Sequence, residues 1–197
     1  SSSDPKGQVG YIATNGSLRV TADADTPIGQ ALVLGSTDQV FAKFKLAEES
    51  NAEDILVKKF IVSNGVSVNT ATPFRPSGTI KNIKLYNGLT PLGEVGSLNG
   101  GSYSMPQAIF DLTGLPGGGL VVGKGQSFVL TVKADLASAL DSGVSSSTHR
   151  FFMTSTDSDQ STSGTQNSVD AIGVGSGFSI STTNATATSG LVIGPTS

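Results

Sequence analysis

Two segments of the sequence alternate apolar and polar residues with a period of two, and this alternation limits the fold more than any other feature. Residues 40–46 (VFAKFKL) and 128–134 (FVLTVKA) carry an apolar side chain at every second position. A period of two places those side chains on one face of an extended strand, so both segments are predicted as strands with one face in a core. Residues 18–22 (LRVTA) repeat the pattern.

Two longer segments keep the alternation but change phase along their length. Residues 54–63 change phase between Val57 and Phe60, which predicts a β-bulge there, and residues 79–86 change phase around Asn82. Shorter strands are predicted at residues 31–34, 92–95, 108–112, 150–154, 169–174 and 178–182.

Turn signals separate the predicted strands. Asn64-Gly65, Asn87-Gly88 and the glycine-rich stretch 114–119 supply residues that enter tight turns at low steric cost. The only helical candidate, residues 136–141, is too short to be stable alone. Many short strands joined by such turns favour an all-β sandwich or barrel.

The composition excludes several classes of function. With 12 Lys and Arg against 15 Asp and Glu, the net charge is −3, so there is no basic excess to bind the phosphates of a nucleic acid. No apolar run approaches the roughly 20 residues that span a bilayer, so no membrane span is expected. The absence of Cys excludes disulfides, zinc–thiolate sites, iron–sulfur clusters and thiol catalysis. With 28 Ser and 20 Thr, we expect a polar but weakly charged surface.

No arrangement of residues in the sequence indicates an enzyme, and no catalytic residue is predicted. His149 is the one histidine, and we expect it at the surface, at the end of a strand. A serine nucleophile would need an oriented base, and no Gly-x-Ser-x-Gly motif is present. The glycine-rich stretch 114–119 lacks the Gly-Lys-Ser/Thr ending and the following helix of a phosphate-binding loop.

Carboxylates cluster in two predicted loops, and calcium is the one metal whose chemistry fits them. The residues are Glu48, Glu49, Glu53 and Asp54 in the first loop, and Asp157 and Asp159 in the second. Calcium takes six to eight oxygen ligands from carboxylates, carbonyls and amide or hydroxyl side chains. Neither loop has the spacing of an EF-hand, and solvated loop charge is the alternative interpretation. No other cofactor is predicted.

The order of several short motifs resembles a known family. A KFKL-type strand at residues 40–46 is followed by Glu53-Asp54, by IKLYNG at 83–88, by a Gly-Lys-Gly turn at 123–125 and by LTVKAD at 130–135. This order, over residues 17–143, resembles the Ig-like β-sandwich repeat of large bacterial cell-surface and surface-layer-like proteins. The resemblance implies an Ig-like antiparallel β-sandwich and an extracellular location at the cell surface.

In that family such units follow one another in a long chain, whereas this sequence contains one such unit. We therefore expect copies to rebuild the string non-covalently, as a homopolymer in a filament or layer. Residues 1–16 are predicted as an N-terminal arm and 17–197 as the sandwich, with a long surface loop at 154–168. An end segment of one copy would complete a sheet of the next. The interface candidates are Val9, Tyr11 and Ile12 in the arm, and Leu191, Val192 and Ile193 near the other end.

An alternative function is a cell-surface adhesin or carbohydrate-binding module. It would need an exposed aromatic patch, for which Tyr86, Tyr103 and Phe74 are the candidates because they lie near predicted turns. Attached glycans are a separate hypothesis. Two sequons, at Asn15 and Asn184, fit Asn-linked glycosylation, although a chain this rich in Ser and Thr produces sequons by chance.

Overall fold

A computed structural model of the chain describes residues 15–67, 78–98, 106–145, 147–153, 169–180, 182–183, 187–188 and 191–192. Within these ranges the chain is almost entirely β-strand, which confirms the all-β prediction. The predicted loop at 154–168 and residues 1–14 of the predicted arm lie outside the described residues. No helix in the described ranges is both long enough and apolar enough to span a membrane.

The described residues form thirteen strands in two sheets that pack face to face as a sandwich. In chain order they are β1 (Leu18–Ala22), β2 (Gln39–Glu48), β3 (Ile55–Ser67), β4 (Ile80–Asn87), β5 (Thr90–Ser97), β6 (Gln107–Asp111), β7 (Leu120–Val122), β8 (Ser127–Leu136), β9 (Thr148–Met153), β10 (Val169–Gly173), β11 (Thr182–Thr183), β12 (Ala187–Thr188) and β13 (Leu191–Val192).

The two sheets have different architectures. The first has six strands in the order β11-β1-β2-β8-β4-β5, and all its pairs are antiparallel except β1 with β11. The second has seven strands built around the long strand β3, which pairs with β6 and β7 along one edge and with β10 and β9 along the other. Because β3 joins four neighbours, it organises this sheet.

The core lies between the sheets and consists mainly of apolar side chains on the inner faces of the strands. Phe41 meets Phe151 edge to face, with ring centroids 4.9 Å apart, and Phe44 meets Phe60 at 6.1 Å. All four rings are fully buried. Each contributes about 1.5–3 kcal/mol by leaving water, so these cross-sheet pairs are a main source of the sandwich's stability.

The structure confirms both predicted phase changes as bulges. Asp170 pairs with Lys59 and Ala171 with Val57, so Lys58 is the extra residue in β3. In β4 the register against β8 shifts after Lys81, and Asn82 has a φ of 49°. A bulge lets a strand change phase while it keeps apolar side chains on its core face.

Some local predictions were wrong. Residues 31–34 form no strand; Leu32 and Leu34 instead pack against the core from the loop between β1 and β2. The predicted helical turn is shorter than expected, a single 3-10 turn at Ala139–Asp141. Strand β7 was not predicted, because three residues are too few to show a period.

The two ends of the sandwich serve as reference points for the site. At the lower end, β1 begins, β2 ends at Glu48, and the turn at Gly125 leads towards β8. At the upper end, the Leu136 N–H donates to the Ser36 carbonyl and the Ala137 N–H to the Thr79 carbonyl, each at 2.8 Å. Strands β1 and β3 both run from the lower to the upper end.

Candidate functional site

One side of the sandwich is closed by the C-terminal part of the described chain. After β10 the chain folds back, and the Ile180 N–H donates to the Ala171 carbonyl at 2.9 Å. Residues 182–192, here called the closing segment, then start beside β1, where Leu18 pairs with Thr182 and Arg19 with Thr183 in a parallel ladder.

The described parts of the closing segment pair with the first sheet at residues 182–183 and with the second sheet at residues 187–188 and 191–192. Strand β12 pairs with the lower part of β9 through Ala187–Met153 and Thr188–Phe152. Strand β13 pairs with the upper part of β9 through Leu191–His149 and Val192–Thr148. The gap that the segment fills, between β1 on one side and β10 and β9 on the other, is here called the seam. Where the structure describes the closing segment, each of its three ladders contains two residue pairs, whereas β2 and β8 share eight.

A buried polar network lies at the upper part of the seam. The imidazole of His149 is fully buried, with Nδ1 2.9 Å from Asn64 Nδ2 and Nε2 3.0 Å from Ser147 Oγ. The Ser147 hydroxyl donates to the Val144 carbonyl at 2.8 Å. Asn64 therefore donates to Nδ1 and Nε2–H donates to Ser147, which is a neutral imidazole with both nitrogens bonded. Burial lowers the pKa of His149 from 6.5 to about 4.

The prediction of a surface histidine was wrong, and the sequence contained a signal for the correct placement. His149 is in phase with Phe151 and Met153 along β9, and all three face the core. Although serine, histidine and asparagine side chains meet here, the imidazole is shut off from solvent and from any substrate in the closed sandwich. The network's evident role is to hold β9 against β3.

At the lower end, Glu48 holds together three loops through its carboxylate. It accepts backbone N–H bonds from Asn51 and Gly125 at 2.8 Å, from Ser50 at 3.0 Å and from Ser17 at 3.4 Å, and a bond from the Ser50 hydroxyl. Burial raises the pKa of Glu48, but the hydrogen bonds to the ionised carboxylate outweigh that effect and lower the pKa to about 2.

Glu53 joins the start of the described chain to the loop that follows β10. Its carboxylate accepts N–H bonds from Gly16 at 3.1 Å, Gly175 at 3.0 Å and Ser176 at 2.8 Å, and the Ser176 hydroxyl at 2.8 Å. These bonds, led by the backbone bond from Ser176, lower the pKa of Glu53. Gly173 leaves room for the carboxylate, since a Cβ there would lie 2.2 Å from Glu53 Oε1.

The four carboxylates proposed as calcium ligands in the first loop make separate contacts. Glu49 forms an exposed ion pair with Arg19 at 3.3 Å, and Asp54 Oδ1 accepts the Lys124 N–H at 2.7 Å. Across the part of the chain that the structure describes, no three His, Cys, Asp or Glu side chains meet as metal ligands. Asp157 and Asp159 lie outside the described residues. Calcium binding stays a prediction without support from this geometry.

The interface and glycosylation candidates divide between described and undescribed positions. Leu191 and Val192 pair with β9 of their own chain. Asn15 is exposed at the lower end, next to Gly16. The candidates outside the described residues are Val9, Tyr11, Ile12, Asn184 and Ile193.

Of the three aromatic candidates for a carbohydrate site, only Tyr86 is described. The Lys133 ammonium lies 4.8 Å from the centroid of its ring, and Lys84 and residues 91–94 line a shallow hollow beside it. Phe74 and Tyr103 lie outside the described residues. The hollow also contains Glu94, so its charge is mixed.

Comparison of the chain with protein-family models, with curated proteins and with solved structures gives no match.

Proposed function

We propose that the chain is the structural subunit of an extracellular filament or surface layer at the cell surface, and that copies assemble head to tail by β-strand complementation. One observation carries the proposal. The seam between the two sheets is closed by a segment that binds both of them, and among the described residues each of its ladders comprises two residue pairs.

The energetics of the seam favour exchange of one strand for another. A net backbone hydrogen bond contributes about 0.5–1.5 kcal/mol, so a ladder of two residues holds its strand weakly. If the closing segment leaves, the edges of β1 and β9 expose unpaired N–H and C=O groups, which bind a strand from another chain. The incoming strand remakes the same bonds, and each large apolar side chain that it buries adds about 1.5–3 kcal/mol.

The surface and the motif pattern support the same class of function. The chain combines low charge with abundant Ser and Thr, and its motifs resemble the repeats of bacterial cell-surface proteins. The proposal therefore places the subunit outside the cell and gives it no catalytic role.

The proposal is tested by negative-stain electron microscopy of the native material, with light scattering of the purified chain beside it. Regular fibres or sheets, with large particles in solution at high concentration, are expected. A monodisperse particle of 19.9 kDa at every concentration would contradict the proposal.

A cell-surface adhesin or carbohydrate-binding module is a second candidate, favoured by the hollow beside Tyr86 with its cation–π contact from Lys133. A glycan array probed with the wild type and with Tyr86→Ala distinguishes it. Binding that the substitution abolishes would support a lectin-like role. An array on which the wild type binds nothing would remove it.

A further inference from the structure

We infer that residues 1–14 of one copy are the strand that enters the seam of the next copy, where they replace the closing segment and run in the same direction as it. This inference rests on the proposed function and identifies which part of the chain crosses between copies. The partner is a second copy of this chain.

Residues 1–14 join the sandwich at its lower end. β1 begins at Leu18, which pairs with Glu48 at the lower end, and it runs upwards to Ala22. The chain just before β1 is fixed at the lower end, because Gly16 donates to Glu53 and Ser17 to Glu48. Residues 1–14 are therefore attached to the sandwich at its lower end, which in a head-to-tail stack faces the upper end of the next copy.

The chain direction of residues 1–14 matches that of the closing segment. The closing segment runs upwards through the seam, from Thr182 beside Leu18 to Val192 beside Thr148. It is parallel to β1 and antiparallel to β9. Residues 1–14 of a copy stacked above also point upwards, towards their own β1. In the seam of the lower copy they would therefore run parallel to β1 and antiparallel to β9, as the closing segment does.

Residues 1–14 are also long enough to fill the seam. At about 3.3 Å per residue, the closing segment spans about 36 Å when extended and residues 1–14 span about 46 Å. The incoming segment is therefore long enough to cover the seam and to bridge the gap between copies. Its apolar side chains, Val9, Tyr11 and Ile12, lie near its upper end, so they meet the level of the seam that Leu191 and Val192 occupy.

The closing segment itself is a poor donor for a head-to-tail polymer. Ile180 is buried and bonded to Ala171, while Thr182 pairs with Leu18, so one residue separates two positions fixed at the lower part of the seam. Two residue steps reach about 7 Å. Exchange of the closing segment would require the lower ends of two copies to touch. If each copy gave its closing segment to the other, the exchange would close a dimer and would not extend a polymer.

The inference is tested by disulfide trapping in assembled material, which is straightforward because the wild type has no cysteine. Two double variants follow the inferred direction: Ser3→Cys with Arg19→Cys at the lower end of the seam, and Ala13→Cys with Thr148→Cys at the upper end. The reversed control pairs Ser3→Cys with Thr148→Cys. Positions 3 and 13 are about 33 Å apart in an extended strand, so the two directions are well separated.

Ladders of disulfide-linked multimers on a non-reducing gel are expected for both forward pairs, with monomer alone for the reversed pair. If all three variants form fibres, and disulfide-linked multimers appear for the reversed pair or for none of the pairs, the inference is wrong and the proposed function stays intact. Wild-type material that forms no fibres or sheets would remove the proposed function itself. Thermal melting of each variant establishes that it folds.

Discussion

The carboxylates at positions 48 and 53 accept hydrogen bonds from backbone N–H groups, although carboxylates in loops of this composition are also typical ligands of calcium. Oxygen-rich loops fit calcium, so the sequence reasonably suggested a cation site, but Glu48 and Glu53 accept N–H donors from the surrounding loops. The oxygen lone pairs of a carboxylate bind a calcium ion or accept N–H donors, and the composition of the loop does not determine which of the two is present. The decisive fact is that residues far apart in the chain, such as Gly125 and Gly175, bring their backbone N–H groups to these oxygens.

The first prediction concerns Glu48. Glu48→Gln removes the negative charge from a buried site lined with N–H donors, and we expect the free energy of unfolding at pH 7 to fall by about 2 kcal/mol. The matched control is Glu49→Gln, which removes only an exposed ion pair with Arg19 and is expected to change stability by less than about 1 kcal/mol. Chemical denaturation measures both variants, and equal effects would contradict the structural role of Glu48.

The second prediction concerns the pH dependence that His149 imposes. Its pKa is about 4 in the folded state and 6.5 as a model group, so between these values the unfolded chain binds more protons. The contribution of His149 to stability is therefore complete above pH 6.5, falls by about 3 kcal/mol as the pH drops to 4, and is constant below that. Because His149 is the one histidine, its imidazole resonance in an NMR titration reports the folded pKa directly. A midpoint near 6.5 would contradict the buried, neutral state.

At the level of strands, the alternation of apolar and polar residues predicted the strands and bulges that depend on local sequence. It did not predict the features that depend on tertiary contacts. The boundaries of β1, and the bulges in β3 and β4, follow from alternation and its phase. Residues 31–34 are as apolar as a strand, but Leu32 and Leu34 pack against the core from a loop and the segment joins no ladder. His149 was misplaced because the strand was predicted to start one residue after it. Pairing of the closing segment with both sheets depends on its position between them, which no local pattern reveals.

The third prediction concerns the close approach of β7 to β3. Gly119 precedes β7 with a φ of 159°, and a Cβ there would lie 2.5 Å from the Val57 carbonyl oxygen. Gly119→Ala is expected to lower the free energy of unfolding by about 2 kcal/mol, because backbone atoms of β3 would have to move. Gly96→Ala on β5 is the matched control, since a Cβ there has no atom within 4 Å. Thermal melting compares the two, and an unchanged stability of Gly119→Ala would show that β7 shifts freely.

For the whole molecule, the sandwich combines a strongly paired centre with a weakly paired side. β2 and β8 share a ladder of eight pairs under a core of buried aromatic rings, whereas the described residues close the seam through three ladders of two pairs. The proposed function uses this asymmetry, because one strand is exchanged while the rest of the fold stays intact. The fourth prediction follows, because backbone amides of β12 and β13 should exchange with deuterium faster than those of β2 and β8. Equal protection would indicate that the seam does not open separately.

The most direct test of strand complementation is to lock the closing segment in its own seam. Thr148 and Val192 are partners in the β9–β13 ladder, so Thr148→Cys with Val192→Cys allows a disulfide within one copy. The oxidised variant is expected to stay monomeric by light scattering and to form fibres once reduced. Each single-cysteine variant, kept reduced, serves as a control and should assemble like the wild type. If the oxidised variant, with its disulfide verified by mass spectrometry, assembles as readily as the reduced one, strand exchange through the seam is not how the copies join.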